Sequence, residues 1–86
     1  MMNDQNYFSD LAREKLVRVF GEEKTHMILK EGVADAGLSN ISSADDLLIF
    51  SVQLKKRGGF EATVGAMLGL QAVLRGATVR SAPGAP

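Results

Sequence analysis

Glycine spacing is what most narrows the folds open to this chain. Gly21, Gly37 and the pair Gly58-Gly59 stand at helix-length intervals. Between them apolar residues recur at three- and four-residue steps, the period of an α-helix lying on a core. Strict alternation of apolar and polar residues, the mark of a half-buried strand, runs over no useful length. The chain is expected to be all-α.

Each segment carries its own boundary signals. Phe8, Leu11, Ala12, Leu16, Val19 and Phe20 form a stripe that mostly excludes Arg13, Glu14 and Arg18, predicting a helix over about 5–20. Asp4 or Ser9 can cap its start, and Gly21 suits its left-handed end. A second helix over about 22–36 begins with Glu22 and Glu23, where the helix dipole favours negative charge. It turns Met27, Ile28, Leu29, Val33 and Ala36 inward and closes at Gly37-Leu38 in a Schellman pattern. Gly32 inside it costs roughly 1 kcal/mol against alanine, which signals a kink or a close crossing.

A third helix over about 44–57 starts at Ser43 with Asp46 three residues on, a capping-box variant, and Ser42 with Asp45 is the alternative register. Leu47, Leu48, Ile49, Phe50, Val52 and Leu54 wrap much of its circumference, so burial on several sides is expected. Lys55-Lys56-Arg57 complement its C-terminal dipole before the glycines stop it. A fourth helix follows over about 60–75. The expected architecture is a small orthogonal bundle of four helices in a single domain, 1–76. A flexible tail over 77–86, rich in Gly, Ala, Ser and Pro, completes the chain.

Size then limits stability. A chain of 86 residues buries only about 60–65% of its unfolded surface, and domains this small commonly need a cross-link, a metal or a partner. There is no cysteine, so disulfides and thiolate metal sites are excluded. His26 is the single histidine and cannot make a zinc site alone. No metal or cofactor is expected, which leaves self-association.

The last helix shows how self-association could work. Ala62, Gly65, Gly69, Ala72 and Gly76 fall on one narrow stripe. Two glycines inside a helix cost roughly 2 kcal/mol of propensity. An offsetting gain comes if a second helix lies closer than the usual separation of about 8–10 Å. The occupant of that seam is either a helix of the same chain or a helix of another. The third and fourth helices are apolar on more than one side, which favours an intermolecular contact. The expectation is a non-enzymatic interaction or adaptor module that forms a C2 homodimer, the commonest closed symmetry. Its interface would comprise Phe50, Ala62, Gly65, Ala66, Leu68, Gly69 and Ala72.

Other functions find less in the sequence. His26 lies among Lys24, Thr25 and Met27, and Ser42, Ser43 and Ser51 have no base in an identifiable motif, so no enzyme is expected. "RGGFEATVG" contains glycines but no phosphate-binding loop. Ten acidic and ten basic residues give zero net charge, against a dedicated polyanion binder. The acidic residues nevertheless cluster at or before Asp46, leaving only Glu61 beyond it beside Lys55, Lys56, Arg57, Arg75 and Arg80. That basic pole makes Lys55, Lys56 and Arg57 possible anion contacts, and a nucleic-acid accessory role is the alternative function. The connection through Gly58-Gly59 imitates a helix–turn–helix. The following residues, Phe60, Glu61, Ala62, Thr63 and Val64, are not base readers.

The start "MMNDQNYFSD" is acidic and polar, unlike a secretory leader. The apolar run Phe60–Leu74 would span about 22 Å as a helix, short of the roughly 30 Å hydrocarbon core. A cytoplasmic protein without a membrane span is expected.

Overall fold

The computed structural model describes residues 4–77, which are helical apart from short connections. Helix α1 spans Asp4–Asp35, α2 spans Ala44–Arg57 and α3 spans Gly59–Leu74. Among the described residues, three helices therefore stand where four are expected. The difference lies at Gly21, whose dihedrals (φ 82°, ψ 171°) leave the helix without opening a loop. The two expected N-terminal helices become two arms of α1, 4–20 and 22–35.

The same joint recurs between α2 and α3. Gly58 has φ 76° and ψ 179°, ending one helix and beginning the next. Positive φ is what closes a helix, and an extended ψ is what a residue ahead of a first turn adopts; glycine combines the two without Cβ strain. The chain is thus two helix–glycine–helix units joined by residues 36–43, although no sequence repeat announces them.

Local signals set the remaining ends. At the close of α1, Leu38 N–H donates to the Val33 carbonyl and Gly37 N–H to the Ala34 carbonyl, each at 3.0 Å. That is the Schellman pairing expected from Gly37-Leu38. At the start of α2, Asp46 N–H donates to Ser43 Oγ at 3.1 Å. The reciprocal bond of a capping box goes elsewhere: Asp46 Oδ2 accepts from the Ser42 N–H at 3.1 Å and the Ser42 hydroxyl at 3.0 Å.

The core draws on every element. Ala12 and Leu16 come from the first arm of α1, Ile28 from the second, Leu47, Phe50 and Leu54 from α2, and Val64, Leu68 and Ala72 from α3. Ile41, from the connection, is also buried, although it lies outside the helical periodicity used to anticipate the core. Two residues assigned inward stripes, Val19 and Met27, face solvent instead, and Thr25 is buried in the second arm.

The helices α2 and α3 are not orthogonal. Gly65 lies against Ser51, Leu54 and Lys55, while Gly69 lies against Ser51 and Leu48. Advancing along α3 thus means retreating along α2, so the pair forms an antiparallel hairpin about Gly58. Ala77, assigned to the tail, is half-buried against the core and its N–H donates to the Ala72 carbonyl at 2.9 Å. The remainder of the expected flexible tail lies outside the described residues. Among the described residues, no helix is long and apolar enough to cross a membrane.

Candidate interaction surface

The small-residue seam is filled from within the chain. A Cβ on Gly65 would stand 2.9 Å from the Ser51 carbonyl oxygen and 3.1 Å from the Lys55 nitrogen, both backbone atoms of α2. A Cβ on Gly69 would stand 3.1 Å from Ser51 Oγ. The Ser51 hydroxyl, buried in this contact, donates to the Leu48 carbonyl at 2.6 Å, so a polar side chain sits there with its hydrogen bond made. The expected interface set is therefore divided. Phe50, Gly65, Leu68, Gly69 and Ala72 are buried in the chain's own core, Ala62 is half-buried, and Ala66 alone is exposed. A second copy cannot occupy the seam at Gly65 and Gly69 without displacing α2. The physical reason is the single-residue joint at Gly58, which makes α2 the nearest helix available.

The basic pole is also altered by tertiary structure. Arg57 Nη2 lies 2.9 Å from Glu31 Oε1 and 3.6 Å from Asp35 Oδ2, while Nη1 lies 3.2 Å from Glu61 Oε1. Acidic residues remote in sequence thus reach the C-terminus of α2. The hydrogen bond to Glu31 raises the Arg57 pKa above its ordinary value, against the opposing effect of burial, and Glu61 adds to the rise. Lys55 and Lys56 remain exposed. Of the three possible anion contacts, Arg57 is engaged by carboxylates.

What the fold leaves outward on α3 is, Thr63 apart, mostly apolar. Phe60, Thr63, Ala66, Met67, Leu70, Val73 and Leu74 are all exposed, and none is charged. Phe60 retains 74% of its accessible surface, Leu70 59% and Leu74 70%. Phe60, Thr63, Met67, Leu70 and Leu74 follow one another at alternating three- and four-residue steps. This is the heptad spacing that pairs two helices along a seam. Leu68, Val64 and Ala72 occupy the opposite side of the same helix and belong to the core. The sequence shows both stripes, and only packing decides which one is left over.

α2 contributes beside it. Ser51 and Leu48 meet α3, while Phe50 meets Gly32 of α1. Asp45, Ile49, Val52 and Lys56 share an exposed stripe of α2.

Two open grooves lie elsewhere. One, of about 550 Å³, runs between the first arm of α1 and the end of α3, and mixes Asp10, Glu14 and Lys15 with Tyr7 and Arg75. The Arg75 guanidinium lies 5.3 Å from the centre of the Tyr7 ring, within cation–π range. The other, of about 350 Å³, has Leu29, Val33, Leu38 and Ile41 in its wall and His26 and Lys30 at its rim. Among the described residues, no group of three or more His, Cys, Asp or Glu side chains is placed to hold a metal ion. The chain matches no known family model, no curated protein and no solved structure.

Proposed function

We propose that the chain is a non-enzymatic protein–protein interaction module, an adaptor whose working surface is the outward face of α3. The observation that carries this reading is the uncharged heptad stripe Phe60, Thr63, Met67, Leu70 and Leu74, left in solvent by a fold that buries the opposite side of the helix. Single exposed apolar residues need no explanation, but a contiguous apolar patch marks an association site. Heptad spacing adds that the complement is another helix. In this reading the glycine seam is the device that fixes α3 to α2, and α1 supports the pair from the other side.

Methionine footprinting tests the reading and works whichever partner binds. Met67 lies in the stripe and is 46% exposed, while Met27 lies on α1 and is 57% exposed. In native extract, Met67 is expected to oxidise several-fold more slowly than Met27. In the dilute purified protein, the two should react alike. Equal reaction rates in both settings would remove α3 as the working surface.

A further inference from the structure

We propose that the groove formed by the two arms of α1 and the connection to α2 binds a small organic carboxylate with an aliphatic body. No residue of α3 lines it, so the site is separate from the interaction surface. Its volume of about 350 Å³ lies at the low end of the range for small-molecule pockets, which are mostly apolar with a few polar groups converging on the ligand. Leu29, Val33 and Leu38 are half-buried in its wall, and Ile41 is 1% exposed. The wall contributed by the connection is tied at both ends. Leu38 N–H donates to the Val33 carbonyl at 3.0 Å, and Ser42 N–H donates to Asp46 Oδ2 at 3.1 Å. A ligand therefore meets a preformed surface and does not have to order the segment, which lowers the cost of binding.

Charge selects the head group. His26 and Lys30 stand one turn apart on the rim, and Ser9, Ser39 and Asn40 add hydrogen-bonding groups to it. Lys30 is cationic, and among the described residues that line the groove none is acidic. Lys30 also enters no ion pair among the described residues, unlike Arg13, Arg18 and Arg57. The acidic residues nearest in sequence are committed elsewhere. Glu22 pairs with Arg13, and Glu31 and Asp35 pair with Arg57. Asp46 accepts from Ser42, and Asp10, next to Ser9, lines the other groove. Glu23 is one turn from His26 but seven residues from Lys30, about 10 Å along the helix. A carboxylate head suits this rim and an ammonium head does not. Because Lys30 is exposed, its ion pair adds little, and the aliphatic wall supplies most of the affinity.

Amide NMR titration with sodium octanoate, kept below the concentration at which it forms micelles, tests the site. The signals of Leu29, Val33 and residues 38–41 should shift together and saturate at roughly millimolar ligand, as expected for about ten non-hydrogen atoms. Octylammonium carries the same chain with the opposite charge and should bind there at least about threefold more weakly. Lys30→Gln and Asn40→Asp, both at exposed positions, should each weaken octanoate about three- to fivefold, the scale of an exposed ion pair, with helicity unchanged. Lys55→Gln, exposed but outside the groove, should leave binding as it is in the parent. Octanoate shifts confined to α3, or shifts at the groove that never saturate, would overturn the proposal. Octylammonium binding as tightly as octanoate, or parental affinity in Lys30→Gln, would overturn it equally. The protection of Met67 in native extract is a separate readout, so this proposal and the interaction reading can each fail alone.

Discussion

The Ser51 carbonyl oxygen of α2 lies 2.9 Å from the position a Cβ on Gly65 of α3 would take. The two helices meet backbone to backbone there, and neither side can yield by turning a side chain. This contact fixes the hairpin and, with it, the side of α3 that stays outside.

Gly65→Ala is accordingly expected to destabilise the protein, even though alanine is worth roughly 1 kcal/mol more than glycine in a helix interior. Overpacking against an immobile backbone costs about 1–3 kcal/mol, more than propensity returns. Gly69→Ala has one tight contact, with the Ser51 hydroxyl at 3.1 Å, the others being ordinary van der Waals contacts, and should lose less or break even. Urea denaturation of the two variants ranks them. A Gly65→Ala protein more stable than the parent would refute the close approach.

Gly32 makes the corresponding contact between α1 and α2. A Cβ there would come 3.0 Å from Phe50 Cδ1 and 3.3 Å from Cζ, with Cε1 nearer still, and the ring is fully buried. Gly32→Ala should therefore lower stability by about 1–3 kcal/mol. Phe50→Leu on the same background should return part of that loss, because the two sites share one space. Strictly additive effects in a double-mutant cycle would separate the residues energetically.

Thr25 is 1% exposed, and among the described residues its hydroxyl has no hydrogen-bond partner. Burial of such a group costs about 1–3 kcal/mol. Thr25→Val keeps the branched shape and removes the polar atom, so it should raise stability by about 1 kcal/mol, or Tm by about 4–8 °C for a domain of this size. A fall in Tm would mean that the hydroxyl has a partner after all.

The ion pairs of Arg57 should respond to salt more than to pH. Arg57→Met is expected to cost at most about 1 kcal/mol at low ionic strength, because Glu31 and Asp35 are largely exposed. The difference from the parent should shrink as salt is added. The folded-state pKa of Arg57 is raised, so its contribution is fully present below arginine's unfolded value and is lost only at strongly alkaline pH. Denaturation midpoints of parent and variant at two salt concentrations near neutral pH check this. A difference that grows with salt would contradict it.

Much of the fold was legible because its instructions are local. Ser43, Asp46, Gly37 and Leu38 set helix ends through hydrogen bonds spanning three to five residues, and such contacts depend little on the rest of the chain. Gly21 was also legible as a stop, but not as a joint without a loop, since that depends on where the next helix packs. Gly32 announced a close crossing without naming Phe50. Ile41 gave no periodic signal, because a single apolar residue in a connection has no neighbours at helical spacing to identify its side.

The sequence by itself determined helix positions, the caps and the need for a close neighbour beside Gly65 and Gly69. Tertiary structure decided that the neighbour is α2, that Glu31 and Asp35 come to Arg57, and that Phe60, Met67, Leu70 and Leu74 remain outside. The reason is physical. A helix apolar on two sides offers both to burial, and the linkage at Gly58 and the position of α1 settle which one the chain covers.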